Sequence, residues 1–207
     1  ERVEDVQAVE IDQRALEILR EQYPGLIRYH HNVLDVNWQE LSIGKSKTHV
    51  VGNLPYYITS QILFALLEAR EVLTDAILMM QKEVARRLTA GIRTKDYGIL
   101  SVQTQLMSQP EILFPVSRHC FSPPPRVESA VVRLQFNREK LSCSDAHLKT
   151  VVRMAFNQRR KKLSNALKPL LGKERPEGFD FDKRAEAWLP STYEKLTERL
   201  EQDGILT

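Results

Sequence analysis

Hydrophobic and polar residues follow two different spacings along the chain, and each spacing predicts one type of element. Short apolar runs predict four buried strands, over residues 6–11, 26–31, 47–52 and 75–80. Apolar residues at helical spacing predict three helices, over residues 12–22, 59–68 and 82–88. Because strands and helices alternate, this part of the chain is predicted to form a parallel sheet with crossover helices.

The pattern changes in the second half of the chain. A helix is predicted over residues 97–107, followed by strands over 111–116 and 129–136. No crossover helix separates these two strands, which favours an antiparallel hairpin at the edge of the sheet. Only helices are predicted after that point, over residues 144–156, 159–171 and 191–202. We therefore predict an α/β domain over residues 1–138 and a small all-helical domain over residues 139–207.

Composition and charge exclude several classes of protein. The chain has 207 residues, 42% of them hydrophobic, and a net charge of +3. Its two cysteines form no CxxC pair, so neither a metal site nor a disulfide framework is expected and a reducing compartment, the cytoplasm, is predicted. No apolar run is long enough to cross a membrane, and the charged start at Glu1 is unlike a secretory signal. We predict a cytoplasmic monomer that does not contact membranes.

Cations are concentrated in one segment of the chain. Residues 153–168 contain no acid and six cations, namely Arg153, Arg159, Arg160, Lys161, Lys162 and Lys168. Such a block is a candidate surface for RNA phosphates, and the neighbouring amides of Asn157 and Gln158 could add hydrogen bonds. An earlier helix could extend this surface through Lys82, Arg86 and Arg87. The alternative interpretation is a basic helix face that contacts only solvent.

The most specific chemical signal is the turn Asn53-Leu54-Pro55-Tyr56, directly after the third predicted strand. The N6 amine of adenine is a weak nucleophile because its lone pair is delocalised into the ring. The amide oxygen of Asn53 and the carbonyl of Leu54 could accept its two N–H bonds and turn the lone pair toward a methyl donor. Pro55 stiffens the turn, and Tyr56 could stack on a base that has left its helix. An ordinary Asn-x-Pro turn is the alternative.

Two weaker signals accompany this turn. Glu10 ends the first predicted strand, where an acid in a nucleotide-binding sheet can accept both hydroxyls of a ribose. The alternative is an acid that only favours the N-terminus of the next helix. Phe121 precedes the stiff loop Ser122-Pro123-Pro124-Pro125, which could hold its ring as the opposite wall of a base-stacking slot. The alternative is an ordinary core aromatic residue.

Taken together, these segments resemble the KsgA-type family of ribosomal RNA small-subunit dimethyladenosine transferases, which are adenine-N6 methyltransferases. The resemblance extends along nearly the whole chain. It is carried by residues 9–12 (Val-Glu-Ile-Asp), 53–56, 78–84, 95–98, 100–102, 121–129 and 156–161. The last of these segments favours this family over the related Erm antibiotic-resistance methylases, which share the catalytic turn.

The resemblance implies a Rossmann-like, class I S-adenosylmethionine-dependent methyltransferase domain and a helical RNA-binding domain. It implies transfer of two methyl groups to each of two adjacent adenosines near the 3′ end of small-subunit rRNA, within a pre-ribosomal particle. The implied catalytic residues are Asn53, Leu54, Pro55, Tyr56 and Phe121. The implied cofactor-binding residues are Glu10, Ile11, Asn32, Val33 and Asn53. The implied RNA-binding residues are Lys82, Arg86, Arg87, Arg126, Asn157, Gln158, Arg159, Arg160, Lys161 and Lys162.

The sequence departs from the family pattern at two places. The family begins with a basic segment and a Gly-x-Gly loop after its first strand, whereas residues 1–207 open just before the second strand. These residues alone are therefore expected to bind S-adenosylmethionine weakly. Asn32 stands where the family usually has Asp. Its amide oxygen can still accept from the adenine amine of the cofactor, but without a charge-assisted bond, so weaker cofactor binding is expected.

Two other functions stay open from the sequence. A binding protein on the same fold, such as a ribosome-assembly factor or a mitochondrial-type transcription factor, would keep nucleic-acid binding without catalysis. The intact turn at Asn53 favours the enzyme over this alternative. A DNA adenine methylase is disfavoured by Leu54, where those enzymes typically have proline, and by the basic helical tail.

Overall fold

The computed structural model describes residues 5–45, 47–137, 139–172 and 175–206. Its internal contacts divide the chain into two compact units, residues 1–44 and residues 45–207. Within the described ranges, none of the helices combines the length and the apolar character needed to cross a bilayer.

The first unit is a small α/β layer built on a two-stranded parallel sheet. Strand β1 (Gln7–Glu10) leads through helix α1 (Gln13–Gln22) to strand β2 (Ile27–His30), which pairs with β1 from Gln7↔Ile27 to Glu10↔His30. Asp12 caps α1, because its carboxylate accepts from the backbone N–H of Arg14 at 2.8 Å. A 3-10 turn (Val33–Asp35) and the short helix α2 (Trp38–Leu41) complete the unit.

The second unit contains a four-stranded mixed sheet in the order β3-β4-β6-β5. Strands β3 (His49–Asn53) and β4 (Asp75–Gln81) are parallel, whereas β5 (Ser108–Val116) and β6 (Ser129–Phe136) form the predicted antiparallel hairpin. Strand β6 pairs with β4, so the hairpin extends the sheet from the β4 side. The alternation of strand and crossover helix followed by a terminal hairpin is confirmed, whereas the four parallel strands predicted as one sheet are hydrogen-bonded in two pairs, β1 with β2 and β3 with β4.

Seven α-helices accompany this sheet among the described residues. They are α3 (Thr59–Glu68), α4 (Lys82–Leu88), α5 (Ile99–Met107), α6 (Asp145–Asn157), α7 (Leu163–Ala166), α8 (Lys168–Leu171) and α9 (Pro190–Gln202). Residues of α3, β4 and β6 form one fully buried apolar layer, which includes Leu63, Leu66, Leu78 and Leu134. The core of the second unit therefore lies between the sheet and its crossover helices.

Aromatic residues join the later helices to α5. The rings of Tyr97 and Phe156 lie 6.0 Å apart, and those of Trp188 and Tyr193 lie 5.4 Å apart. The hydroxyl of Tyr97 donates to the carbonyl of Trp188 at 2.9 Å, and that of Tyr193 donates to the carbonyl of Ala185 at 2.7 Å. Burial raises the pKa of both phenols, so both stay neutral donors. Helices α6 and α9 thus pack on α5 and on Tyr97 just before it, inside the second unit.

The predicted helix over residues 159–171 is wrong. Residues 158–161 form turns, and Lys162 pairs with Arg184 in an isolated bridge. The backbone N–H groups of Leu163 and Ser164 donate at 2.8 Å to Lys183 and Phe181, not to carbonyls one turn earlier. These long-range bonds replace the first turn of the predicted helix, and only the short α7 and α8 remain. The predicted boundary at residues 138/139 stays a prediction, and Arg138 itself lies outside the described residues.

Candidate active site

The Asn53–Tyr56 turn begins at the carboxyl end of β3 and is fixed by backbone hydrogen bonds on both sides. The N–H of Leu54 donates to the carbonyl of Met79 at 2.9 Å, which continues the β3–β4 ladder into the turn. The Leu54 side chain is buried. The carbonyl of Pro55 accepts from the N–H of Ile58 at 3.2 Å and from the hydroxyl of Thr59 at 2.9 Å. The turn is therefore joined at one end to the sheet and at the other to α3.

Tyr56 connects the turn to a third element. Its hydroxyl lies 2.6 Å from the Oγ of Ser129, the first residue of β6, and either group can be the donor. Ser129 is fully buried, whereas Tyr56 is half-buried. The sequence offered no signal for this bond, because the two residues are 73 positions apart. The bond sets the direction of the Tyr56 ring.

The two predicted acceptors in the turn are both available. The Asn53 side chain is exposed, and its amide makes no hydrogen bond to any residue that the structure describes. The Leu54 carbonyl likewise accepts none from the described residues. A rigid turn thus presents an amide oxygen and a backbone carbonyl from adjacent residues. Two adjacent acceptors held in this way can receive the two N–H bonds of one amine.

Two further aromatic residues, Phe121 and Tyr57, bear on the base-stacking slot predicted at Tyr56. Phe121 is half-buried and follows a 3-10 turn (Arg118–Cys120) in the connection from β5 to β6, which is the connection that ends at Ser129. Its ring does not contact that of Tyr56 in the described part of the chain, and a base slot between them stays a prediction. Tyr57 was not predicted as a site residue, and it is 85% exposed. Its position directly after Tyr56 is the sequence feature that could have identified it as a second candidate for stacking on a base.

The predicted cofactor residues of the first unit lie together at the carboxyl ends of β1 and β2. Glu10 is opposite His30 in the ladder, and the N–H of His31 donates to the Glu10 carbonyl at 3.1 Å. Oε1 of Glu10 accepts from the N–H groups of Ile11 at 2.8 Å and Asp12 at 2.9 Å. Oε2 accepts no hydrogen bond from the described residues, so one oxygen orients the carboxylate and the other remains available.

Asn32 and Val33 follow β2 at the same edge. Oδ1 of Asn32 accepts from the N–H of Leu34 at 3.1 Å and caps the 3-10 turn. This bond uses one lone pair of the oxygen that was expected to meet the cofactor's adenine, and leaves a second. An anchored acid and an anchored amide at adjacent strand ends fit a ribose and an adenine ring. Among the described residues, no group of three or more His, Cys, Asp or Glu side chains could hold a metal ion.

Five of the predicted RNA-binding cations make intramolecular contacts. Lys82 lies 2.7 Å from Glu128, and this lysine lowers the pKa of the Glu128 carboxyl by its hydrogen bond and charge. The other contacts are Arg86–Asp96 at 3.8 Å, Arg87–Glu83 at 2.5 Å, Arg159–Glu186 at 3.4 Å and Lys162–Asp182 at 3.0 Å. Arg159 also donates to the carbonyls of Lys95 at 2.8 Å and Thr94 at 2.9 Å. Arg159 therefore fixes the loop at Thr94 and Lys95, which precedes α5.

The remaining three predicted cations have no ion-pair partner among the residues that the structure describes. Arg126, Arg160 and Lys161 are exposed and form no ion pair with any residue in the described ranges. Asn157 and Gln158 are exposed beside Arg160. Within the basic segment, the strongest candidates for phosphate contact are therefore Arg160 and Lys161, because their charges are not paired with any described residue.

Comparison with known proteins gives relatives along most of the chain. The sequence pattern of the family described as ribosomal RNA adenine dimethylase matches residues 1–189. The ribosomal RNA small subunit methyltransferase A of Bacteroides thetaiotaomicron is 43% identical over 202 residues, which cover 95% of this chain and 75% of the relative. The protein of the same name from Salinibacter ruber is 46% identical over 209 residues, covering 97% of this chain and 70% of the relative.

Solved structures agree on the fold. A dimethyladenosine transferase from Plasmodium falciparum superposes with a TM-score of 0.77 at 24% identity, over 97% of this chain and 83% of that one. The 23S rRNA methyltransferase ErmE superposes with a TM-score of 0.66 at 28% identity, over 97% of this chain and 84% of that one. The predicted methyltransferase fold is confirmed. On the match over residues 1–189 and these identities, the chain belongs to the ribosomal RNA adenine dimethylase family.

Proposed function

We propose that the protein transfers methyl groups from S-adenosylmethionine to N6 of two adjacent adenosines near the 3′ end of small-subunit rRNA. The product is N6,N6-dimethyladenosine, made during ribosome biogenesis by a monomer that acts on a pre-ribosomal particle. The observation that carries this proposal is the Asn53–Tyr56 turn, which presents the Asn53 amide oxygen and the Leu54 carbonyl, neither of them hydrogen-bonded to a described residue. The names of the relatives support the RNA substrate.

The reaction needs orientation of the amine more than proton transfer. S-adenosylmethionine supplies an electrophilic methyl group on a sulfonium. The amide oxygen of Asn53 and the Leu54 carbonyl accept hydrogen bonds from the two N–H groups of adenine N6. These bonds direct the N6 lone pair toward the methyl donor. Tyr56, held by Ser129 at 2.6 Å, stacks on the extruded base. The methyl group would pass to N6 as its bond to sulfur breaks, leaving a neutral thioether, and the methylated N6 would then release one proton to water. Placing the reacting atoms in this way lowers the barrier without a general base.

The cofactor is held, in this proposal, by the strand ends of the first unit. Oε2 of Glu10 accepts from the ribose hydroxyls, while Oε1 stays bonded to the N–H groups of Ile11 and Asp12. Asn32 and Val33 contact the adenine ring of the cofactor. Asn32 cannot supply the charge of an aspartate at this position, so the bond it makes is weaker than a charge-assisted one.

The direct test of this function is methyl transfer to undermethylated small ribosomal subunits by the full-length gene product. We expect S-adenosylmethionine-dependent formation of dimethyladenosine at two adjacent positions, identified by mass spectrometry of the digested RNA. A binding-only assembly factor would associate with the subunits without transferring methyl groups. Monomethyladenosine as the sole product at saturating cofactor would refute dimethylation while leaving adenine-N6 methylation in place.

Substitution of Glu10 should weaken cofactor binding. Glu10→Ala removes a charged acceptor for the ribose hydroxyls, and a hydrogen bond to a charged group contributes about 1.5–3 kcal/mol. Titration calorimetry with S-adenosylmethionine on the full-length gene product should therefore show a loss of about tenfold or more in affinity. Glu17→Ala, an exposed acid on α1, is the matched control and should bind as the wild type does. Equal affinity of the two variants would remove Glu10 from the cofactor site.

Neutralising the unpaired cations should change RNA binding alone. Arg160→Ala combined with Lys161→Ala should lower affinity for small subunits and reduce the slope of log affinity against log salt by about two, since each phosphate contact contributes about one. Affinity for S-adenosylmethionine should stay unchanged. Lys183→Ala with Lys195→Ala, also exposed cations, is the control pair. A salt slope that is the same in both double variants would identify Arg160 and Lys161 as a solvated surface only.

A further inference from the structure

Ser129, the first residue of β6, is fully buried and lies against the Asn53–Tyr56 turn. It is paired with Gln81 of β4 on one side and with Val116 of β5 on the other, so its backbone is fixed within the sheet. The residue before it is held as well, because the carbonyl of Glu128 accepts from the N–H of Lys82 at 3.0 Å. The Ser129 hydroxyl is therefore carried by a rigid part of the sheet.

The partner of this hydroxyl is the phenol of Tyr56, at 2.6 Å. Tyr56 is half-buried, so part of its side chain meets solvent while its hydroxyl meets a fully buried group. The phenol hydroxyl lies in the plane of the ring, and a partner bonded to it does not itself cover either face. The bond thus fixes the angle of the ring and engages its polar atom at the edge.

A free phenol would behave differently at this position. Its oxygen could accept from the N6 amine of an adenine, in competition with the Asn53 amide and the Leu54 carbonyl. Its hydroxyl would also turn toward water, because a half-buried polar group without a partner costs free energy, and the ring would turn with it. Bonding to a buried serine prevents both effects, so the ring stays in place and a competing acceptor is removed.

We propose that Ser129 is a positioning residue of the methyl-transfer site. Its hydroxyl holds the Tyr56 ring at the angle at which an extruded adenine stacks on it, and keeps the phenol oxygen away from N6. The Tyr56 hydroxyl then takes no part in the chemistry, and only the ring does. This assignment rests on the proposed function, because it takes adenine as the base that enters the site.

Two substitutions remove this bond from its two ends and should have unequal effects. In Ser129→Ala the phenol keeps its hydroxyl and loses its partner, so the ring should turn. Single-turnover methyl transfer should then fall by about tenfold or more, since misplacing an aligned group by about 1 Å can cost about 100-fold. In Tyr56→Phe the ring has no hydroxyl to satisfy and stays in place, so transfer should fall less.

The double variant distinguishes positioning from a simple loss of contact. Ser129→Ala combined with Tyr56→Phe should transfer methyl groups faster than Ser129→Ala alone, at the rate of Tyr56→Phe. The reason is that replacing both partners by apolar groups leaves neither of them unpaired. All variants are measured in the full-length gene product, below the thermal midpoint of the least stable one, so that unfolding does not enter the rates.

The control is Ser108→Ala, which removes the hydroxyl of another buried serine, at the first residue of β5. Its Oγ donates to the carbonyl of Thr104 at 2.8 Å, within the same unit. Ser108→Ala should lower the thermal midpoint and leave the rate of methyl transfer unchanged.

A second readout does not depend on methyl transfer. In a small-subunit rRNA hairpin, 2-aminopurine replaces the target adenosine, and stacking on an aromatic ring quenches its fluorescence. At saturating protein, Ser129→Ala should leave this base brighter than the wild type does. Ser108→Ala and the double variant should give the wild-type signal, because the Tyr56 ring, or the phenylalanine ring that replaces it, is in place in both.

Three results would overturn the assignment. The first is wild-type transfer and wild-type fluorescence in folded Ser129→Ala. The second is a double variant that is no faster than Ser129→Ala, since the freed phenol would then not cause the loss. The third is an equal fall in Ser108→Ala, which would trace the effect to the stability of the sheet. If the wild type transferred no methyl group, the proposed function would fail, and the hairpin fluorescence would still decide whether Ser129 sets the stacking ring.

Discussion

Asn53→Ala should reduce methyl transfer by about 100-fold or more while leaving RNA affinity within about twofold. In the proposed reaction, the Asn53 amide orients the adenine N6 amine as the transition state forms. Loss of one preorganised polar group typically reduces turnover by this amount. The side chain is exposed and makes no hydrogen bond within the described residues, so its removal should not disturb the fold. Single-turnover transfer to undermethylated small subunits measures the first quantity, and filter binding measures the second.

Asn165→Ala is the matched control, since this asparagine is equally exposed on α7 and lies outside the turn. It should transfer methyl groups at the wild-type rate. If turnover and RNA affinity fell together in Asn53→Ala, the side chain would contribute to binding and not to orientation. Unchanged turnover would show that the Leu54 carbonyl alone is enough, and the proposed role of Asn53 would be lost.

The structure of the Asn53–Tyr56 turn could be predicted from the sequence because local features determine it. An apolar strand ends at Asn53, Pro55 restricts the backbone that follows, and α3 begins at Thr59 as its apolar spacing indicates. Asp12 at the start of α1 is a similar case, since a capping residue and the helix it caps are adjacent. Elements of this kind depend on neighbours within one or two turns.

The partners of several charged residues could not be predicted, because they are distant in the chain. Arg159 looked like one more phosphate-binding cation, yet it donates to carbonyls 64 and 65 residues away. The same segment was predicted as a helix, and bonds from Leu163 and Ser164 to Lys183 and Phe181 prevent one from starting there.

Asp145→Ala should destabilise the second unit by about 3 kcal/mol, the scale for removing one partner of a buried ion pair. Asp145, in the first turn of α6, accepts from both Nη1 and Nη2 of Arg70, the latter at 3.0 Å. The Arg70 side chain is 5% exposed, and Nη1 also donates to the Leu67 carbonyl at 3.3 Å. Without the carboxylate, a guanidinium that water hardly reaches keeps its charge and loses its main partner.

Lys149→Ala is the control for this prediction, because the pair Lys149–Glu68 joins α6 at the surface, at 3.1 Å, to the last residue of α3, two positions before Arg70. Exposed pairs contribute about 1 kcal/mol or less, so its denaturation midpoint should shift much less. Urea unfolding followed by the fluorescence of the buried Trp188, in a Trp38→Phe background, reports on the second unit alone. Arg70→Met combined with Asp145→Ala should recover part of the stability lost in Asp145→Ala, because an apolar side chain then replaces the uncompensated charge. If Asp145→Ala and Lys149→Ala shifted the midpoint equally, solvent would be screening the Arg70 charge, and the pair would stabilise the protein no more than a surface contact does.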